Sequence, residues 1–257
     1  MITASSAGRH RLDAFRHEHL SETVSTNTTA LERARSGDSG RLWITADRQT
    51  GGRGRRGRAW SSEPGNLYAS LLLIDAAPVE ALVSLPLAVA IAVQRAVQAV
   101  LPPDGAKAAV KWPNDILIDG AKMCGILIEG ERLLDGRHAV VIGIGVNVAM
   151  APESGLYPVT TIRASGGTVL PDELFTHLFM EMAAALDLWD AGRGLPDIVA
   201  AWRRAAHGIG QPITVNLTER SIPGRFVDID ETGHLILETD DGPRLRIAAG
   251  DVFFDRR

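Results

Sequence analysis

The 257-residue chain has one cysteine, Cys124. No internal disulfide is possible, and a reducing compartment fits. Long apolar runs are missing as well. No stretch approaches the ~18 consecutive apolar residues of a membrane span. Residues 1–20 lack the apolar centre of a secretory signal. These absences predict a cytoplasmic protein with no membrane partner. Net positive charge is also absent, since 27 Lys and Arg stand against 31 Asp and Glu. A protein that binds nucleic acid through a broad basic face is therefore disfavoured. The seven histidines show no metal-ligand spacing, and His17 and His19 read as exposed. There is no P-loop signature. Residues 143–147 (GIGVN) begin like a dinucleotide fingerprint, but Val148 stands where its third glycine belongs.

What remains is the composition of a globular protein of one large domain, or of one domain with a small appendage. Residues 1–10 are small and polar and read as a frayed arm. The run SETVSTNTTALERARSG passes from a strand end to a helix, with Thr26 or Asn27 as cap and Gly37 as stop. Strands are predicted at 41–50 and 66–74, and a long apolar helix at 79–100 with Pro86 at a kink or in its first turn. Residues 108–148 read as three strands with turns at Asp119-Gly120 and Asp135-Gly136. Residues 149–169 form a loop, and helices follow at 171–190 and 196–206. After Gly208 the pattern changes to four short alternating segments, the mark of a small β-barrel.

Positive charge is concentrated where glycine is concentrated. Residues 49–60 (QTGGRGRRGRAW) hold four arginines and four glycines. Glycines let a backbone approach a ligand closely. Arginine forks match carboxylate and phosphate oxygens. Gln49 and Trp60 bracket the run with a polar group and a stacking surface. The stretch KWPNDIL (111–117) gathers Lys111, Asn114 and Asp115 around Pro113, either as a ligand set or as a purely structural turn. In KMCGILIE (122–129), Lys122 opens an apolar strand and Gly125 leaves room against a flat ligand. Taken alone, that strand reads as one with a solvated lysine. Cys124 has no partner base and reads as a packing residue.

Taken in order, STN (25–27), Q-x-x-GRGRRGR-x-W (49–60), KWPND (111–115), K-x-x-GILIE (122–129) and GIGVN (143–147) resemble the biotin protein ligases, also called biotin–[acetyl-CoA-carboxylase] ligases. The resemblance runs from about residue 20 to the end of the chain. It implies an α+β fold: a mixed β-sheet of the biotin/lipoate ligase type with helices on one face (1–208), and an SH3-like C-terminal β-barrel (209–257). It implies ATP and Mg2+ as cofactors, biotin as substrate and a biotinoyl-5′-AMP intermediate. The acceptor would be a lysine of a biotin carboxyl carrier protein or domain of an acyl-CoA carboxylase.

The same resemblance implies site roles. Ser25, Thr26, Asn27 and Gln49 would contact biotin at its ureido end and neighbouring atoms. Arg53, Gly54 and Arg55 would hold carboxylate and phosphate. Arg58, Trp60, Lys111, Asn114 and Asn147 would face the nucleotide, with Gly125 as floor under biotin. Lys122, Arg55 and Asp115 would be catalytic: Lys122 would polarise the carboxyl oxygen, and Asp115 would serve the acceptor lysine. Metal ligands and contacts within 149–169 are not assigned. Many members carry an N-terminal winged helix, for which the position of STN leaves no room, so a short form with no specific DNA partner is expected, as a monomer or weak homodimer. A lipoate ligase on the same catalytic fold is the nearest alternative. A non-catalytic nucleotide- or RNA-binding module and a metabolite sensor that forms the adenylate without transfer stand further off.

Overall fold

Strand β1 (Arg16–Thr23) leads into helix α1 (Thr26–Arg35) and returns along β2 (Leu42–Gln49), parallel to β1. Every later pairing in this sheet is antiparallel. Strands β3 (Leu67–Ile74), β4 (Ala108–Lys111), β5 (Asp115–Ile118), β6 (Ala121–Arg132) and β7 (His138–Val146) complete it in the order β1-β2-β3-β7-β6-β5-β4. The structure is a computed structural model describing residues 11–152, 158–217, 219–240 and 242–254. The expected arm at 1–10 and part of the 149–169 loop lie outside the described residues.

Four strands, not three, span 108–148. Pro113 has no N–H to give a ladder, so the chain turns at Trp112–Asn114 and pairs Lys111 with Asp115. The predicted helix at 79–100 divides into α2 (Val79–Leu82) and α3 (Leu85–Ala99). Pro86 stands in the first turn of α3, where a missing N–H costs nothing. Helices α4 (Pro171–Trp189) and α5 (Leu195–Ala205) follow. No helix among the described residues is long and apolar enough to cross a membrane.

Helices cover both faces of the sheet rather than one. Trp43, Leu71 and Leu73 pack with α3, α4 and α5 in the main core. Their strand neighbours Leu42, Ile44 and Leu72 point the other way and meet Ala30 and Ala34 of α1. Because β2 and β3 are apolar at both odd and even positions, each face needs a cover. On its α1 face the sheet is only partly covered, and the remainder carries the site.

Beyond Gly208 and Gly210 come β8 (Pro212–Asn216), β9 (Ser221–Ile229), β10 (Leu235–Glu238), β11 (Leu245–Ile247) and β12 (Asp251–Phe254). They form an antiparallel sheet of order β11-β10-β9-β8-β12. The last of the four expected segments supplies two strands, divided at 248–250. Ile213, Val215, Phe226 and Leu235 join the same core as α5. The Trp112 indole N–H donates to the Gly233 carbonyl at 3.0 Å. The C-terminal sheet thereby stands against the β4–β5 turn.

Candidate active site

The strand register sets the base of the site. Lys111, Asp115, Gly125, Gly145 and Tyr68 stand in one transverse row across β4, β5, β6, β7 and β3. The next row holds Leu127, Gly143 and Ser70. A Cβ on Gly143 would lie 2.2 Å from Asn27 Oδ1, and one on Gly145 2.6 Å from Trp60 Nε1. These glycines allow side chains from α1 and from the arginine loop to lie flat on the sheet.

One end of the site is polar and neutral. Ser25 is extended and caps α1, so the cap is neither Thr26 nor Asn27. The reason is the Thr26 N–H, which is taken by Gln49 Oε1 at 2.9 Å from the end of β2. Gln49 Nε2 donates to Ser62 Oγ at 2.9 Å. Ser25, Thr26 and Asn27 are each 4% exposed, so their polar atoms need partners. Ser70 supplies two of them, with Oγ 2.7 Å from Thr26 Oγ1 and 2.6 Å from Asn27 Oδ1.

The other end is cationic. Between Gly52 and Trp60 the loop closes on itself, with Gly54 N–H donating to the Arg58 carbonyl at 2.7 Å and Trp60 N–H to the Gly52 carbonyl at 2.9 Å. The Trp60 indole lies over Gly125 and Gly145. Arg55 donates to Asn114 Oδ1 at 2.9 Å and to the Gly250 carbonyl at 3.2 Å. Asp251 of β12 accepts from Arg56 at 3.1 Å and Arg58 at 2.7 Å, with Arg55 at 3.8 Å. Four arginines in one short loop repel each other, and Asp251 offsets that repulsion.

Lys122 Nζ stands 2.7 Å from Asp115 Oδ1, so it is paired rather than solvated. Lys111 is 8% exposed. Burial holds its ammonium below the usual lysine range, Asp115 opposes that, and Lys122 adds to it. Asn147 at the end of β7 donates from Nδ2 to the Thr160 carbonyl at 3.2 Å. Cys124 is fully buried, and burial pushes its thiol well above the ordinary range, in keeping with a packing role.

All fifteen residues singled out from the sequence border one cavity of about 450 Å³. Ser25, Thr26, Asn27 and Gln49 line its neutral end. Arg53, Gly54, Arg55, Arg58 and Trp60 enter from the loop. Lys111, Asn114, Asp115 and Lys122 form the far wall, with Gly125 and Asn147 from the sheet. Sequence reasoning missed Ser70, Glu129, Gly143, Gly145 and Asp251. Ser70 could have been found as a lone hydroxyl in an apolar strand, and Gly143 and Gly145 by their two-residue spacing. Asp251 carries no local signal, because the tertiary fold brings it to arginines far away in sequence.

A neutral polar recess joined to a cationic wall suits an organic acid held beside a phosphate chain. That is the arrangement of an acid-activating ligase, and the comparisons agree. The sequence model of the Biotin/lipoate A/B protein ligase family matches residues 21–147, and that of the Biotin protein ligase C terminal domain matches 208–255. The chain is 37% identical to the biotin--[acetyl-CoA-carboxylase] ligase of Paracoccus denitrificans over 91% of its own length and 99% of the relative's. It is 33% identical to that of Mycobacterium tuberculosis, over 98% and 91%. This chain belongs to the biotin/lipoate A/B protein ligase family. Among solved structures, the biotin protein ligase of Aquifex aeolicus in complex with biotin and ATP superposes with a TM-score of 0.78 at 28% identity, covering 94% of this chain and 99% of that one. The Leishmania major enzyme with biotinyl-5-AMP gives 0.63 at 27%, covering 91% and 99%.

Proposed function

We propose that the chain is a biotin protein ligase, which activates biotin with MgATP and transfers it to a lysine of a biotin carboxyl carrier protein or domain of an acyl-CoA carboxylase. In the first step a biotin carboxylate oxygen attacks the α-phosphorus of ATP. The bond from that phosphorus to the bridging oxygen breaks, pyrophosphate leaves, and biotinoyl-5′-AMP forms. In the second step the acceptor amine attacks the acyl carbon. An amide forms, AMP departs, and the amine gives up a proton.

The observation that carries this reading is the union of the neutral recess and the cationic wall in one cavity. A carboxylate and a triphosphate repel each other. Arg53, Arg55, Lys111 and Lys122 converge where those anions would meet and offset that repulsion. Ser25, Thr26, Asn27 and Gln49 present the neutral hydrogen-bonding groups that the ureido end requires. Lys122 polarises the carboxyl oxygen. Asp115, already an acceptor for an ammonium at 2.7 Å, receives the approaching lysine. Arg58, Trp60, Asn114 and Asn147 border the nucleotide. Mg2+ arrives with the triphosphate as part of the substrate.

The finer parts of the reading have separate supports. Residues 1–208 form the catalytic unit and 209–257 the C-terminal module, as the separate sheets suggest. The acidic balance argues against a specific DNA partner. The protein acts in the cytoplasm, as a monomer or weak homodimer. The test is incubation with biotin, MgATP and a carrier domain, followed by the intact mass of the carrier. One biotinoyl group per carrier is expected. An unmodified carrier, or one modified by lipoate and not by biotin, overturns the proposal.

A further inference from the structure

Glu129 lies outside the residues assigned above, two positions beyond Leu127 on the same face of β6. Its Oε2 accepts from Asn27 Nδ2 at 2.7 Å, and its Oε1 stands 3.5 Å from Arg53 Nη2. The Asn27 side chain lies flat on Gly143, with Oδ1 2.6 Å from the Ser70 hydroxyl. An amide of this kind has two orientations, and the neighbours decide between them. The Ser70 hydroxyl serves either one, because it donates or accepts. The Leu127 carbonyl, at 3.4 Å, is a weak partner. A carboxylate only accepts, so Glu129 selects the orientation with Nδ2 toward itself.

We infer that Glu129 is a specificity-determining positioning residue, which sets the direction of the hydrogen-bond chain lining the neutral recess. With Asn27 Oδ1 facing Ser70, the Ser70 hydroxyl has two acceptors before it, Asn27 Oδ1 at 2.6 Å and Thr26 Oγ1 at 2.7 Å, while the Thr26 hydroxyl donates to Gln49 Oε1 at 3.2 Å. Ser70 has one proton for these two acceptors, and Asn27 Oδ1 draws it, so Thr26 Oγ1 keeps accepting capacity for the cavity. A reversed Asn27 amide donates to Ser70, and Ser70 turns its proton onto Thr26. Thr26 Oγ1 then takes that proton in full, its own proton staying on Gln49 Oε1, and the acceptor offered to the cavity is lost. The recess as built suits an acid whose recognised end carries N–H donors, as a cyclic urea does. This inference rests on the proposed function.

The test is steady-state pyrophosphate release by wild type, Glu129→Ala, Glu129→Met and Glu129→Gln, with biotin and ATP varied in turn. Loss of one such hydrogen bond corresponds to a rise of roughly three- to tenfold in the KM for biotin. In Ala and Met that rise is expected, with kcat and the KM for ATP within twofold of wild type. Glu129→Gln keeps an oxygen for Asn27 and is expected to restore the KM for biotin to within twofold. Thermal unfolding identifies any variant that does not fold, and the other truncation then carries the comparison. An unchanged KM for biotin in a folded truncation overturns the inference, and so does a loss confined to kcat or a failure of Gln to restore. A wild-type enzyme that releases no pyrophosphate with biotin instead overturns the functional reading itself.

Discussion

Asp251→Asn tests how the arginine loop is held. The substitution keeps the volume of the side chain and removes the charge that three guanidinium groups share. Exposed ion pairs contribute ~0.2–1 kcal/mol each. The Asp251 side chain is 10% exposed, whereas Arg56 and Arg58 are 41% and 44% exposed. The two short pairs together therefore hold the loop by about 1–2 kcal/mol, with solvent screening on the arginine side. A loss of that size multiplies the undocked population roughly 5–30-fold. Limited trypsin digestion without ligand, at physiological salt, reads this population when opening is fast relative to cleavage. Nicking between Arg53 and Arg58 is expected to speed up by that factor, while the midpoint of global unfolding moves by only a few degrees. Raising the salt should bring wild type toward the variant, because screening weakens the same pairs. Nicking within twofold of wild type would show that Asp251 does not hold the loop.

Lys122→Ala should reduce pyrophosphate release at least a hundredfold, since a cation at a developing charge contributes ~3–4 kcal/mol. A folded variant within threefold of wild type removes Lys122 from the chemistry. Gly145→Ala puts a methyl group where the Trp60 indole lies, at 2.6 Å. The KM for ATP should rise about tenfold, one hydrogen bond or stacking contact in size, with the KM for biotin nearly unchanged; an unchanged KM for ATP sinks the nucleotide role of Trp60. Arg55→Gly loses its bonds to Asn114 and Gly250 and should release biotinoyl-5′-AMP roughly ten- to a hundredfold faster. Streptavidin blots should then show labelling of serum albumin that wild type leaves unmodified. A variant that makes adenylate yet labels albumin no more than wild type does would refute retention by Arg55.

The sequence by itself determined most of the chemistry. Local residue types are enough where one short segment carries several groups toward one cavity, as in GRGRRGR and KWPND. Short apolar runs likewise marked β2 and β3, and Pro86 and Gly37 marked a helix start and a helix end. Where a property depends on which segments become neighbours, local pattern is silent. Pro113 split an expected strand, and the pairing of Lys111 with Asp115 made the split visible. Lys122 had no visible partner until the β5–β6 pairing brought Asp115 to it. Ser70, Gly143 and Glu129 matter because β3, β7 and β6 lie side by side beneath Asn27, and no window of sequence contains all four. Asp251 reaches the arginine loop only because the C-terminal sheet docks against the turn between β4 and β5. The residues' chemistry was written along the chain; the partners that orient each group and balance its charge were decided by strand order and domain docking.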